Sequence, residues 1–313
     1  ERSFDGVDLD WEYSDTPSED DTAAYSALVR EIRDSVGLGY SFSLALPSGP
    51  YYGKWFSVEG FIEAIDWIGV MTYDLTGDWD ESAGYNSALY PHEGITSWSW
   101  EESMDYWTGR GIAKEKLYPG IASFGFLFTT CVGPGQDFSG DVEYLTYAQI
   151  LDSSSWNLYW DDTSKVPYAL TPTGGYATFD NAASIALKLH WVIDNGYPGV
   201  ILWELSQDYL EEGGHPILDS LATIRAEATA IQISTGTAAS KIHRNGQTFW
   251  IETYGMEPSS LSLYQLNGHL LRQVRGSSGL LRLDLRNIPE GPYFVVLRRG
   301  AHLIDHQFAI NPD

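Results

Sequence analysis

The chain has a single cysteine, Cys131, in 313 residues. No disulfide can form within it, so stability must come from buried apolar surface, and the redox compartment is left open. A lone thiol of this kind suits a buried or loop position better than a nucleophile. Basic residues are scarce as well, with 18 Lys and Arg against 43 Asp and Glu and a net charge of −25. Such a surface repels nucleic acid and anionic membranes, so neither is expected as a partner, while a neutral polymer stays compatible. No apolar run reaches membrane-spanning length, so no membrane span is expected. The N-terminus has neither a starting Met nor the features of a signal peptide. The seven histidines (92, 190, 215, 243, 269, 302 and 306) are scattered without metal-ligand spacing and read as surface or internally satisfied residues.

What is present is concentrated at the start. In Asp5-Gly6-Val7-Asp8-Leu9-Asp10-Trp11-Glu12, the acids Asp8, Asp10 and Glu12 recur with period two. In a strand they share one face, and Val7, Leu9 and Trp11 take the other. Three neighbouring carboxylates repel one another, which raises the pKa of at least one of them. A carboxylic acid shifted in this way can donate a proton near neutral pH, as cleavage of a glycosidic bond requires. A calcium loop is a poor alternative, because an EF-hand needs a central glycine and a twelfth-position Glu that this stretch lacks.

The spacing Asp5-x-x-Asp8-x-Asp10-x-Glu12 resembles the DxxDxDxE signature of glycoside hydrolase family 18, the chitinase family. The resemblance extends over roughly residues 3–225 and implies an α/β fold, a (β/α)8 TIM barrel with this signature on its fourth strand. In such a barrel the acids point inward at the mouth, and Val7, Leu9 and Trp11 meet the surrounding helices.

Downstream, strand and helix patterns alternate, the mark of a parallel sheet with crossover helices. A helix is expected over Asp20–Ser35, with Ala24, Leu28 and Ile32 on its apolar stripe. Strands are expected at Tyr40–Leu46, Trp67–Tyr73, Leu117–Ala122 and Val200–Trp203. Further helices are expected at Val58–Ile65, Trp100–Gly109, Asn181–Asp194 and Pro216–Arg225. That makes five strands of eight, so the barrel is expected to be N-terminally truncated, with three strands and their helices missing upstream. Residues 126–180 are too long for an ordinary connection. They resemble the small α+β insertion between strands seven and eight of many family 18 chitinases, as do Trp160-Asp161-Asp162, Val166-Pro167-Tyr168 and the run from Phe179-Asp180-Asn181 to Ser184 and Lys188.

Composition divides the chain in two. Residues 1–224 carry 9 Lys/Arg against 36 Asp/Glu and eleven of the twelve tryptophans, whereas residues 225–313 carry 9 against 7 and only Trp250. The boundary implied near Ala226–Ser234 separates a barrel fragment (1–228) from a second domain (229–313). The second segment reads as short strands at Thr248–Thr253, Leu261–Tyr264, Leu280–Leu283, Tyr293–Arg298 and His306–Ile310. Gly246, Asn267-Gly268, Gly276, Gly279 and Gly300 punctuate them, suggesting an antiparallel β-sandwich. Its layout, Leu263-Tyr264-Gln265-Leu266-Asn267-Gly268 and then Leu285-Arg286-Asn287-Ile288-Pro289-Glu290-Gly291-Pro292-Tyr293, resembles the sorting domains of bacterial secreted proteins. Secretion machinery is then the implied partner, and the location secreted or cell-surface. A carbohydrate-binding module fits less well, since no planar aromatic platform is evident around Trp250.

The family resemblance also implies roles for individual residues. Glu12 would protonate the glycosidic oxygen, and the substrate's own 2-acetamido group would attack the anomeric carbon. Asp10 would orient that group and stabilise its charge while sharing a proton with Asp8, and Tyr73 would hold the acetamido oxygen. Trp203 would form the apolar floor under the sugar. Met71 and Asp74 stand beside Tyr73 in Met71-Thr72-Tyr73-Asp74 at a strand end, where catalytic groups of barrels gather. Trp79 resembles a family position on the leaving-group side, and Tyr147 an insertion tyrosine that touches substrate. Trp98, Trp100, Trp107, Trp156 and Trp160 read as packing residues, and Tyr13 is left without a role. The strand ending Gly120-Ile121-Ala122-Ser123-Phe124-Gly125 lacks the Pro, Tyr and Arg often found after it in chitinases, which bears on the outer subsites. This chemistry needs no cofactor or metal. The expected activity is hydrolysis of chitin or another N-acetylglucosamine-containing polysaccharide. The alternatives are an endo-β-N-acetylglucosaminidase acting on glycans and a chitin-binding lectin on the same fold. Lectins of this fold generally lose the acid, so Glu12 stands against the second.

Overall fold

The computed structural model describes residues 4–12, 17–211 and 214–229, and beyond them residue 288 and the strands lying between 240 and 310. Tyr13, residues 230–234 of the expected boundary, and the turns at Gly246, Asn267-Gly268, Gly279 and Gly300 fall outside the described residues.

In chain order the first elements are β1 (Gly6–Leu9), α1 (Glu19–Val36), β2 (Ser41–Pro47), α2 (Pro50–Gly53), α3 (Val58–Phe61), β3 (Trp67–Met71), α4 (Trp100–Gly109) and β4 (Leu117–Ala122). Then come β5 (Phe124–Thr130), β6 (Ser139–Thr146), α5 (Tyr147–Asp152), β7 (Asn157–Asp161), β8 (Val166–Leu170), β9 (Tyr176–Thr178), α6 (Ala182–Asp194), β10 (Ile201–Trp203) and α7 (Pro216–Thr229). Strands β1-β2-β3-β4-β10 form one parallel sheet in that order, a half-barrel with β1 and β10 at its edges. Its five carboxyl ends lie along one rim.

Local chemistry accounts for these elements. Ser18 and Asp21 form a reciprocal capping box at the start of α1, with Glu19 and Asp20 completing an acidic first turn that suits the helix dipole. The stripe α1 buries is Tyr25, Val29 and Arg33, with Leu28 and Ile32 half-buried. Ala24 is exposed, one step off the expected stripe, because the larger Tyr25 takes the place against Phe56 and Phe61. Arg33 closes the helix: it donates to the carbonyls of Gly37 and Tyr40 at 2.9 and 2.8 Å and to Asp66 Oδ2 at 2.7 Å. Strand β2 is buried on both faces through Phe42, Ser43, Leu44 and Leu46, as a central parallel strand must be. The helix expected over Val58–Ile65 is a single turn, α3.

The signature strand departs from expectation. Strand β1 stops at Leu9, where its pairing with Leu44 of β2 ends, so Asp10, Trp11 and Glu12 continue past the sheet. Of the three apolar residues only Leu9 joins the core. Val7 and Trp11 are 39% and 42% exposed, because β1 is an edge strand; Trp11 meets the Tyr25 ring at 6.0 Å. Between β4 and α6 the chain forms a second, five-stranded antiparallel sheet in the order β6-β5-β9-β8-β7 with α5 alongside, beginning at Phe124.

The C-terminal strands are β11 (Ser240–Asn245), β12 (Thr248–Thr253), β13 (Ser259–Gln265), β14 (Leu270–Gly276), β15 (Leu280–Asp284), β16 (Gly291–Arg299) and β17 (His302–Ile310). They form two antiparallel sheets, β11-β12-β15 and β14-β13-β16-β17. Leu261 and Leu263 of one sheet and Leu281 and Leu283 of the other are buried. Strands β11 and β14 were not expected, since neither Ser240–Asn245 nor Leu270–Gly276 alternates cleanly. No helix among the described residues is long and apolar enough to cross a membrane.

One buried charge network ties the helical layer to the sheet rim. Lys188 of α6 is fully buried, with its Nζ 2.5 Å from Asp180 Oδ2 and 4.9 Å from the centre of the Trp100 ring. Burial pulls the Lys188 pKa down, and Asp180 opposes that shift. Lys188 also donates to Ser87 Oγ at 2.9 Å, as does Trp100 Nε1 at 2.9 Å, and the Ser87 hydroxyl donates to the Thr72 carbonyl at 2.8 Å. The hydroxyl thereby uses its donor and both acceptor sites. Removing one partner of a buried pair strands the other. Lys188→Met is expected to cost about 3–5 kcal/mol in denaturant unfolding, and Asp180→Leu in the same chain to recover most of it. A single variant as stable as the parent would contradict this account.

Candidate active site

The rim of the half-barrel collects the acids. Asp8, within β1, accepts a hydrogen bond from the hydroxyl of Ser43, its register partner on β2. Asp10 and Glu12 follow the strand end. Both keep exposed surface, yet partial burial raises the pKa of each. Asp8 adds to the rise at Asp10, and Asp10 to that at Glu12. Desolvation is therefore the larger cause, and the mutual repulsion expected from the spacing is the smaller one.

Tyr73 and Asp74 come to the same place from the end of β3. Tyr73 is buried, and burial raises its pKa. The charges of Asp74, Asp10 and Glu12 add to that rise, so the phenol stays protonated beside the acids. A Cβ on Gly120 would stand 2.6 Å from Tyr73 Cε1, so only glycine in β4 leaves room for the ring. Thr72 holds the two strands in line, its hydroxyl donating to the Gly120 carbonyl and accepting from the Gly120 amide, each at 2.8 Å. Met71 is half-buried against the cluster of Tyr73, Ala122 and Phe124.

Asp74 adopts a left-handed backbone with φ +56°, a region Asp tolerates better than most side chains. Asn86, fully buried, supports it. Its Oδ1 accepts from the Asp74 amide at 3.0 Å, its carbonyl from the Leu75 amide at 3.1 Å, and its Nδ2 donates to the Phe124 carbonyl at 3.3 Å. The Asp74 side chain reaches solvent, but the protein around its carboxyl raises the pKa to about 6, and Glu12 contributes. Asp10, Glu12, Tyr73 and Asp74 thus form one electrostatically coupled group, whose titration belongs to the group.

Trp203 ends β10 beside Ala122 of β4 and is 50% exposed at the rim. Trp79 stands on the loop after Asp74, 63% exposed, with its ring lying on Gly77, where a Cβ would come within 2.3 Å of it. Trp100, Trp107 and Trp160 are buried, and Trp98 and Trp156 half-buried.

Tyr147 is not at the site. It is 1% exposed within the main core, because Thr146 and Gln149 form a capping box that starts α5 at Tyr147 and turns its side chain inward. The insertion tyrosine that faces out is Tyr144, 46% exposed at the end of β6 and near enough to Asp74 and Glu204 for their charges to act on it. The capping pattern Thr-x-x-Gln was readable in the sequence and would have separated these two tyrosines. Asn86 and Gly120, by contrast, carry no local signal. Among the described residues no group of three or more His, Cys, Asp or Glu is placed to hold a metal ion.

Parallel strands with carboxylates gathered at their C-terminal rim define a sugar-hydrolase type of site. The model of "Glycosyl hydrolases family 18" matches residues 1–208, and the chain belongs to that family. An endochitinase of Manduca sexta is 29% identical over 242 residues, covering 66% of this chain and 43% of its own. A probable endochitinase of Caenorhabditis elegans is 29% identical over 238 residues, covering 67% and 38%. The crystal structure of the Ostrinia furnacalis Group IV chitinase in complex with allosamidin matches with a TM-score of 0.65 at 30% identity, over 72% of this chain and 68% of that one. The chain spans less than half the length of these two curated relatives.

The raised pKa of Asp74 links pH to stability. Its folded value of about 6 lies above the ordinary 3.8, so the native state holds the proton more tightly. The resulting stabilisation is complete below about pH 4 and is lost as pH rises through about 6. Asp74→Asn is therefore expected to raise the Tm at pH 7.5 by about 2–4 °C, a size already reduced for solvent screening. No gain is expected at pH 4. Equal effects at both pH values in thermal unfolding would refute the linkage.

Proposed function

We propose that this chain is the catalytic part of a chitinase-like enzyme that hydrolyses β-1,4-linked N-acetylglucosamine polymers with retention, the substrate's acetamido group acting as nucleophile. The observation that carries the reading is Glu12, a carboxyl whose pKa is raised by burial and by Asp10, set beside Tyr73 and Asp74 at the rim. In this reading Glu12 protonates the leaving oxygen, and the sugar's amide carbonyl closes on the anomeric carbon to give an oxazolinium. The ionised Glu12 then draws a proton from the water that opens it. Asp10, backed by Asp8, orients the amide and stabilises its positive charge, and the protonated Tyr73 donates to the amide oxygen. Trp203 lies under the sugar, with Met71 and Asp74 flanking it and Trp79 on the leaving-group side. Residues 1–228 would form the catalytic part. Residues 229–313 would be a sandwich serving sorting in a bacterial protein that is secreted or held at the cell surface.

Glu12→Gln is expected to lower kcat on N-acetylchitooligosaccharides by about 10²–10⁴-fold while leaving their binding unchanged. Turnover at the parent rate would remove Glu12 as the acid. A second variant reads the electrostatics. Asp10→Asn deletes a negative neighbour, which favours ionised Glu12 and lowers its pKa. The alkaline limb of the kcat/KM profile should then move to lower pH, and a shift to higher pH would contradict the coupling.

A further inference from the structure

Gly84, Tyr85 and Asn86, consecutive residues of the loop between β3 and α4, are each gripped by the antiparallel sheet β6-β5-β9-β8-β7. The Gly84 carbonyl accepts from the Tyr176 hydroxyl of β9 at 2.7 Å. The Tyr85 hydroxyl donates to Asp161 Oδ2, at the end of β7, at 2.7 Å. The Asn86 amide donates to Thr178 Oγ1 of β9 at 2.8 Å. Tyr85, Asn86, Tyr176 and Thr178 are all buried, so these bonds do not compete with water.

The same segment grips the strand end that carries Tyr73 and Asp74. Asn86 Oδ1 accepts from the Asp74 amide, the Asn86 carbonyl from the Leu75 amide, and the Ser87 hydroxyl donates to the Thr72 carbonyl. These three contacts straddle Tyr73. Asn86 Nδ2 also donates to the carbonyl of Phe124, whose ring meets Tyr73 edge-on at 5.7 Å. The position calls for asparagine, because one side chain must offer an acceptor to an amide and a donor to a carbonyl. A leucine of similar size would leave both groups buried and unsatisfied.

The grip matters most at Asp74. Its left-handed backbone, φ +56°, is one that a non-glycine residue rarely adopts unaided, and its amide is the group Asn86 holds. Holding that conformation fixes the direction in which the Asp74 carboxyl leaves the chain. In that direction it feels the charge of Glu12, and the phenols of Tyr73 and Tyr144 feel its own.

We propose that Asn86 is a positioning residue for the reaction: anchored by Thr178, it holds Asp74 and Tyr73 in place opposite Glu12, so that the antiparallel sheet sets the geometry of the rim from behind. This rests on the reading of the rim as a hydrolytic site. Asn86 is fully buried and acts only through Asp74 and Phe124.

The test follows the Asp74 carboxyl by carbon NMR over a pH series in the parent, Asn86→Leu and Thr178→Val, with Asp74→Asn to assign the signal. Turnover of N-acetylchitooligosaccharides is measured on the same proteins. In Asn86→Leu the carboxyl is released toward water and away from Glu12, so its pKa should fall from about 6 toward the ordinary 3.8. The kcat should drop about 10²-fold with KM nearly unchanged, as expected for misplaced groups rather than lost binding. Thr178→Val should move both quantities the same way by less. Lower stability with the Asp74 titration and kcat of the folded protein unchanged would leave Asn86 a packing residue and overturn the proposal. A shifted titration with unchanged kcat would overturn it as well. Should neither variant fold, the parent decides: its Asp74 amide must exchange hydrogen as slowly as the Gly120 amide, and exchange at the rate of an exposed amide overturns the grip. A parent without turnover defeats the hydrolytic reading, and the Asp74 titration then still decides whether Asn86 places the carboxyl.

Discussion

The buried contact of Lys188 with Asp180 and Ser87 is the constraint on which the site depends. An ammonium and a carboxylate taken fully out of water are costly unless every remaining hydrogen-bonding position is met. Here the requirement is met by Ser184, which donates to Asp180 Oδ1 at 2.6 Å, and by Ser87, which passes the connection to the Thr72 carbonyl. Thr72 fixes Gly120 opposite Tyr73, and Tyr73 and Asp74 follow in the chain. A charge at the centre of the helical layer thus determines where two side chains of the rim stand.

The rim shows the opposite economy. Its acids are only partly withdrawn from water, and they repel one another, so several hold protons more tightly than ordinary carboxylates. That arrangement destabilises the ionised fold, as the raised pKa of Asp74 illustrates. It also suits chemistry in which positive charge develops nearby, because the negative charge is in place beforehand. The left-handed backbone at Asp74 follows the same logic: a locally unfavourable conformation persists because Asn86 satisfies the surrounding amides.

Much of the fold was legible in the sequence because its signals are local. The helix over Trp100–Gly109 and the strand over Leu117–Ala122 match residue for residue, since each has its cap or its run of apolar residues within a few positions. The stripe of α1 was misplaced by one residue because periodicity fits both Ala24 and Tyr25, and only packing against Phe56 and Phe61 decides between them. Val7 and Trp11 were expected under helices, and their exposure comes from the edge position of β1, a property of the sheet order. Strands β11 and β14 escaped notice because pairing partners far along the chain, Thr248–Thr253 and Ser259–Gln265, define them.

For the site, the sequence by itself determined the spacing of Asp8, Asp10 and Glu12 and the pairing of Tyr73 with Asp74, because a period-two repeat and a strand end need no distant partner to be recognised. Only the tertiary structure decided that Asp74 titrates near Glu12, that Gly120 makes room for Tyr73, and that Tyr144 rather than Tyr147 faces the rim. Each of these depends on desolvation or close approach between segments tens of residues apart, and neither quantity exists until the chain has folded.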